Sequence, residues 1–565
     1  MIRDNGKKKR TLLICVFFTI FLIFTILIFF IPISVKATYG GVVATSDGES
    51  ISFNVFEPSS REAETKPAVI IGHGFMANKE IMKGYAVELA AAGFVAVPFD
   101  FRGHGQSSGL LENNKLINDV LAIKSYLASR GDIDMNNLGY IGYSMGGGPG
   151  NEIINTDLAF KCFIGVGTWF DATVRDGNST NPLNVLMIQA RFDEAIVMEE
   201  LKVAIGTRVG LSSLADANKL YGSFTDGNAS KIFLDDNTDH LLLAWDQDFI
   251  REARNWVMST FPGVSPVDEN LYVNIRGLIL IFQCFGGIGL FFLIMEPLTD
   301  LLVKAKEEDK YIIELQEMPL RSIVLRTIGH VLGLSLIGMI ILIPLVLLLP
   351  LSIAGMMSTF LFGAAIAIVI MFWRIGKKMD LSIKDTILGV FKRPKGQIPR
   401  EIALGVILTI ILYIILYLSV GLSYFAIIPY LIKIFWIPPY YAVYFIVFLI
   451  LGILFNTIIQ PKIGNSLKNT CTAAFLGAAL QIMYFVIYIL ILSIIVGSFF
   501  FVLTFFIAVP MLLLSNFTSA VLYQKTGNVL SSTIINTTIF VGIIVALSPF
   551  MTGLNMITML GGLRN

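Results

Sequence analysis

Three residues far apart in the chain have the types that nucleophilic catalysis needs: Ser144, Asp193 and His240. Ser144 lies in Gly142-Tyr143-Ser144-Met145-Gly146, after the apolar run Leu138-Gly139-Tyr140-Ile141 and before a stretch from about Gly148 that can be helical. A G-x-S-x-G spacing there suits a strained strand-to-helix turn, in which side chains at the flanking glycines would strike neighbouring backbone. A serine hydroxyl is a poor nucleophile near neutral pH, so a partner must take its proton and later return it to the leaving group. His240, one of only four histidines, is the candidate base, and Asp193 is the candidate that fixes its tautomer. Asp235, Asp236, Asp239 and Glu194 are the rival acids.

Strands must deliver these residues. Pro67 to Ile71, Phe94 to Pro98, the run before Ser144, Lys161 to Gly167, Asn184 to Gln189 and Lys231 to Leu234 are continuous apolar runs suited to buried parallel strands. Helix-compatible stretches separate them, among them 78–92 and 112–130, and this alternation implies a mostly parallel sheet with crossover helices. Residues 39–56 read as a strand pair about Ser46-Asp47-Gly48. Only Thr168 to Leu183 separates the strand after the elbow helix from the strand bearing Asp193, too little for a helical cap. Residues 194–230 hold at most a pair of short helices, so a shallow, open site is expected. Trp169, Phe170 and Arg175 are candidates to line a pocket, with core packing the equal alternative for the two aromatics.

The order Ser, then acid after a later strand, then His after the last strand resembles the α/β-hydrolase superfamily over most of residues 50–258. Gly72-His73-Gly74-Phe75 after a strand, and Asp100-Phe101-Arg102-Gly103-His104-Gly105-Gln106-Ser107, carry the same resemblance. It implies an oxyanion hole made by the backbone N–H of Phe75 (Met76 as alternate) and of Met145. It also implies that His73 shapes its loop and that residues 100–107 are scaffold, with an internally bonded Asp-Arg pair, leaving His104 no role as base. Ala190 departs from the family's pattern, which commonly has glycine there.

Composition confines this chemistry to part of the molecule. The chain is 565 residues long and 55% hydrophobic, and its long apolar runs fall at 11–33 and after 272, with none between 38 and 270. The expected domains are a signal anchor or transmembrane helix at 1–37, an α/β-hydrolase domain at 38–262, a linker at 263–272, and an all-α multi-spanning membrane domain of about eight helices at 273–565. Spans are read at 273–295, 323–349, 353–373, 402–421, 439–459, 471–496, 498–517 and 531–553. Cleavage of the first segment after Val35-Lys36-Ala37 is the competing reading.

Residues 38–270 carry 30 acidic and 17 basic residues, and the rest of the chain 11 and 25. An acidic soluble domain argues against a nucleic-acid partner. Lys7-Lys8-Lys9-Arg10, Lys304 to Lys310 with Arg321, Arg374 to Lys378 with Lys392 to Arg400, Lys462, Lys468 and Lys525 all fall on one side of the expected membrane. The opposite loops near 351, 422–438 and 497 hold only Lys433. The N-terminus is therefore expected in the cytoplasm of a multi-pass cell-membrane protein, with the hydrolase domain outside. Residues 422–438, with Pro429, Pro438 and Pro439, read as an external interfacial or re-entrant piece.

A single cysteine in the soluble domain, Cys162, rules out a disulfide within it. No cofactor and no metal is expected, because histidine and cysteine pairs at ligand spacing are absent. The expected partners are the lipid bilayer and a small-molecule or lipid ester, with no pattern that sets an oligomeric state. Ester hydrolysis through an acyl-enzyme is the leading expectation. Acyl transfer by the same three residues is one alternative. The other is a transporter or sensor with a hydrolase-like binding ectodomain, in which His330, Glu296, Asn456, Gln481 and Asn516 are the polar groups of the spans.

Overall fold

The computed structural model describes residues 2–60, 65–303, 310–313, 315, 318–379, 382–496, 502 and 504–562. The basic stretch 304–309, the loop near 497 and the first residues of the span expected at 498–517 lie outside that set. The chain divides into two compact units. One comprises Leu22–Gln283 together with Leu418–Tyr430, and the other comprises Met1–Phe21, Cys284–Tyr417 and Leu431–Asn565. The first unit thus reaches past 38–262 at both ends and recruits thirteen residues from the second half of the sequence.

The first unit is built on a nine-stranded sheet. In chain order its elements begin with the end of helix α1 (Ile2–Phe30), then β1 (Val35–Ala44), β2 (Ser50–Pro58), β3 (Lys66–Gly72), α2 (Lys83–Ala91) and β4 (Val95–Phe99). There follow α3 (Leu116–Arg130), β5 (Ile133–Tyr143), α4 (Gly147–Thr156), β6 (Phe160–Val166), β7 (Asn184–Phe192), α5 (Met198–Arg208), β8 (Leu220–Tyr221), β9 (Ser230–Asp239) and α6 (Gln247–Thr260). Helix α7 (Val273–Leu302) begins in this unit. The strand order is β1-β2-β4-β3-β5-β6-β7-β9-β8. β4, β3, β5, β6, β7 and β9 pair in parallel, while β1, β2 and β8 pair antiparallel at the margins.

Both faces of the parallel strands are covered, which explains their unbroken apolar runs. Val69, Ile71, Ile141, Ile164 and Leu186 pack with α2 and α6 in one core. The alternate residues Ile70, Tyr140 and Phe163 are buried on the face that carries α3 and α4, where the rings of Tyr140 and Phe163 stack. Each such fully buried Ile, Leu or Val contributes about 1.5–3 kcal/mol. Gly131 closes α3 in the left-handed conformation, and the Asp246 carboxylate caps α6 by accepting from the N–H of Asp248 and Phe249. Residues 168–183 contain no helix, and 194–230 hold one helix, within the expected limit of two, and the two-residue strand β8.

In the whole chain, nine helices of the described residues are long and apolar enough to cross a membrane, and the protein is a multi-pass membrane protein. Inside the second unit, the polar residues of the spans bond both within a span, as Asn456 does, and between spans. The Gln481 amide donates to Asn516 Oδ1 (3.0 Å), Asn456 to Gln460 Oε1 (3.0 Å) and Gln460 to the Ala520 carbonyl (3.0 Å). Glu296 pairs with Arg10 and Lys525 at 2.6 and 2.9 Å, and the His330 ring bonds the Arg326 carbonyl within its own helix.

Candidate active site

Ser144 follows the last residue of β5 and starts the turn into α4 with φ +50°, a left-handed conformation rare for a residue with a side chain. The turn closes so tightly that a Cβ on Gly142 would lie 2.5 Å from the Gly146 carbonyl oxygen. A Cβ on Gly146 would lie 2.9 Å from the backbone of Gly72. Only glycine fits at either position, for the steric reason expected from the sequence. The loop after β3 crosses close to the nucleophile: a Cβ on Gly74 would meet the Cβ of Ser144 at 3.0 Å. Phe75 is therefore one residue from that contact, and Met145 directly follows Ser144 in the turn.

β7 and β9 are neighbours in the sheet, with Phe192 opposite Asp239, so the residues after both strands emerge at one edge. His240 Nε2 lies 3.0 Å from Ser144 Oγ, and His240 Nδ1 lies 2.8 Å from Asp193 Oδ2. The side chains of His240 and Asp193 are only 2% and 1% exposed, whereas Ser144 is half-buried. Asp193 Oδ1 accepts from the N–H of Ala195 (2.8 Å) and of Ile196 (2.9 Å), which fixes the carboxylate's orientation. The Tyr143 hydroxyl donates to the His240 carbonyl (3.0 Å) and its ring stacks on the imidazole at 5.5 Å. With a carboxylate accepting at Nδ1, the ring carries its proton there and presents the Nε2 lone pair to the serine. Such a chain of contacts can withdraw the hydroxyl proton as the oxygen attacks an electrophile.

The rival acids have other partners. Asp239 Oδ1 accepts from the N–H of Leu241 and Leu242, starting the short helix that follows His240. Glu194 Oε2 accepts from the His240 N–H at 3.4 Å, and burial pushes its carboxyl above the usual range. Among the described residues the carboxylates of Asp235, Asp246 and Asp248 gather within 4.8 Å of one another, and Asp246 is already engaged as the cap of α6. The side chain of Asp236 lies outside the described residues.

His73 and the loop 100–107 are structural. The His73 ring donates from Nδ1 to the Gly74 carbonyl (2.7 Å) and accepts at Nε2 from the Phe101 N–H (3.0 Å), tying together the loops after β3 and β4. The acid-base pairing inside the loop differs from the expected Asp-Arg pair. Asp100 bonds Lys79 Nζ (2.6 Å) and the N–H groups of Lys79 and Gln106. Arg102 instead forks between Asp119 and Asp47. Burial raises the Asp100 carboxyl, but the Lys79 ammonium, His73 and the Gln106 N–H together outweigh it and hold the group below its ordinary value. Lys79 had no sequence signal beyond its charge, because its partner lies 21 residues away.

Arg175 and Phe170 are engaged in the packing of the fold. Arg175 caps the carbonyls of Ile154, Phe160 and Asn181, and Phe170 is buried against Phe163. Trp169 is exposed, with its ring edge near Gly148. Residues 418–430 were beyond sequence reasoning as a part of this unit: Tyr424 and Phe425 set their rings against Trp245 at 5.5 and 5.4 Å.

A family model described as serine aminopeptidase, S33, matches residues 63–207, from just before β3 through nearly all of α5. The N-terminal domain is an α/β-hydrolase. Its hydrolase-type sequence is similar to an uncharacterized 31.7 kDa protein from the traX-finO intergenic region of Escherichia coli, 28% identical over 125 residues. That alignment covers 21% of this chain and 42% of the relative. It is also similar to the uncharacterized protein PA2218 of Pseudomonas aeruginosa, 29% identical over 148 residues, covering 25% of this chain and 40% of the relative. The chain thus spans about two fifths of the length of these curated relatives. Among solved structures, PA2218 aligns with TM-score 0.31 and 14% identity over 40% of this chain and 93% of that one. The Pyrococcus furiosus esterase Pf2001 aligns with TM-score 0.31 and 16% identity over 40% and 92%.

Proposed function

We propose that the α/β-hydrolase domain is a serine hydrolase that cleaves a carboxylic ester, lipid-borne or membrane-associated, on the outer side of the cell membrane. Ser144 is the nucleophile, His240 the general base and acid, and Asp193 the residue that orients it. The single observation that carries this reading is the continuous contact of Ser144 Oγ, His240 and Asp193 at 3.0 and 2.8 Å.

The reaction follows from that geometry. Ser144 Oγ attacks the ester carbonyl carbon while its proton passes to His240 Nε2, leaving a tetrahedral centre whose oxygen bears the negative charge. The N–H groups of Met145 and Phe75 (Met76 as alternate) stabilise that oxygen. Collapse breaks the bond to the alkoxy group, which takes the proton from Nε2 and leaves as the alcohol. Water then repeats the sequence on the acyl-serine, releasing the carboxylic acid and restoring Ser144. Asp193 holds the imidazole and stabilises its transient cation without taking the proton. The lack of a helical cap in 168–183 supports a substrate presented from a membrane surface.

Labelling of intact membranes with a fluorophosphonate tests the reading. Labelling that disappears in Ser144→Ala and is blocked by a membrane-impermeant competitor is the expected result. Absence of labelling in a folded, membrane-inserted protein overturns it. A panel of acyl esters and aminoacyl amides then separates ester hydrolysis from the peptidase chemistry named in the matching family model.

A further inference from the structure

A cavity of the first unit, of about 370 Å³, lies where α1 ends and α7 begins, and Ser144, Asp193 and His240 are not among its lining residues. Its wall holds two cations that are almost fully buried, Lys83 (4% exposed) and Arg276 (9%), and no carboxylate is among its lining residues. Arg276 Nη1 donates to the carbonyls of Ile28 (3.1 Å) and Ile31, which the end of α1 leaves free, and Glu88 acts on it through space beyond ion-pair distance. Lys83 Nζ donates to the Leu422 carbonyl and lies 3.6 Å from Glu80. Two further polar groups belong to residues of the same wall. The hydroxyl of Ser423, 6% exposed, and the buried indole N–H of Trp245 have no hydrogen-bond partner among the described residues. The rest of the wall is largely aliphatic, with Ile28 and Leu278 from the ends of the two apolar helices.

A buried hydroxyl or N–H without a partner costs about 1–3 kcal/mol. Water can satisfy both groups but supplies no charge, and Glu80 beside Lys83 together with Glu88 near Arg254 and Arg276 leaves these three cations in excess of two carboxylates. An anion does both, and the aliphatic wall continues into the apolar part of α7, which suits an anion attached to a hydrocarbon chain.

We propose that this cavity binds the phosphodiester of an anionic lipid. Lys83 and Arg276 neutralise the phosphate, Ser423 Oγ and Trp245 Nε1 donate to its oxygens, and the upper acyl carbons lie on Ile28 and Leu278. The site takes no part in ester cleavage and does not rest on that reading.

The test uses the full chain, purified, delipidated and examined by native mass spectrometry while phosphatidylglycerol or phosphatidylcholine is titrated in. The wild type is expected to retain one phosphatidylglycerol at least about tenfold more tightly than phosphatidylcholine, the worth of one charge-assisted bond. Gly277→Leu fills the cavity without a clash, since a Cβ there meets no atom within 4 Å. It should abolish that preference, as should Lys83→Gln, with the thermal transition of Gly277→Leu unchanged. Ser144→Ala should bind as the wild type does, which keeps this site separate from catalysis. Millimolar inorganic phosphate that leaves retention unchanged assigns the anion to a lipid, whereas displacement assigns the same groups to free phosphate. Equal retention of the two lipids by the wild type, or an undiminished preference in both variants, overturns the proposal.

Discussion

Asp193→Asn is the most discriminating change, because the structure dictates how the new amide must point. Asp193 Oδ1 accepts from two backbone N–H groups, of Ala195 and Ile196, while Oδ2 faces His240 Nδ1. An asparagine keeps both backbone bonds only by placing its oxygen toward 195 and 196, which turns its NH₂ toward the imidazole. That donor forces the tautomer with the proton on Nε2, and the ring then points a hydrogen at Ser144 Oγ, 3.0 Å away, where a lone pair is needed. The opposite amide orientation restores the working tautomer but sets a donor against two N–H groups. Two lost bonds at about 1–3 kcal/mol each penalise it by about 2–6 kcal/mol, or about 30-fold to 10⁴-fold. The ester-hydrolysis rate, and with it the second-order rate of fluorophosphonate labelling, should fall by that factor. Thermal stability should change little, since the loop after β7 keeps its bonds. A variant retaining more than about a tenth of the wild-type rate would refute the reasoning, as would an equal loss in Asp239→Asn or Glu194→Gln.

Gly142→Ala puts a methyl 2.5 Å from the Gly146 carbonyl; it should lower stability by about 1–3 kcal/mol and abolish probe labelling, read by thermal unfolding and in-gel fluorescence. Lys79→Met leaves the Asp100 carboxylate buried without its cation and should cost about 3–5 kcal/mol by the same thermal measurement. Glu88 supplies a pH dependence. It accepts from the Tyr272 N–H at 2.5 Å, and burial pushes its carboxyl from the ordinary 4.5 up to about 7. A raised folded value favours the protonated form, so its contribution is fully present below pH 4.5 and is lost as the pH rises through 7. The span corresponds to at most about 3 kcal/mol. Glu88→Gln should therefore flatten the fall of the unfolding midpoint between pH 5 and 8, and an identical profile would count against it.

The parallel strands were legible because a strand covered on both faces has no polar alternation, so runs such as Pro67 to Ile71 announce themselves. The elbow was legible for a different reason: a backbone approach of 2.5 Å leaves only glycine at residue 142, and that demand is written in the residue type. Lys79 and Arg102 show the opposite case. Their partners, Asp100 and Asp119 with Asp47, are set by tertiary packing, and sequence proximity suggested the wrong pairing within the 100–107 loop. Residues 418–430 were equally opaque. Their aromatic rings meet Trp245 across more than 170 positions, and no local periodicity encodes such a contact.

Charge joins the two sites in one argument. Residues 38–270 hold 30 acidic and 17 basic residues, a surface that repels an anionic membrane at long range. At physiological ionic strength such repulsion decays over about 8 Å, so it does not reach far into a cavity walled by protein. Inside the cavity the local pair Lys83 and Arg276 prevails, because buried charges are screened far less than exposed ones. Raising salt should therefore weaken any general association of the domain with charged vesicles while leaving retention of a single anionic lipid nearly intact. A retention that falls in step with the general association would place the lipid on the surface and not between Lys83 and Arg276.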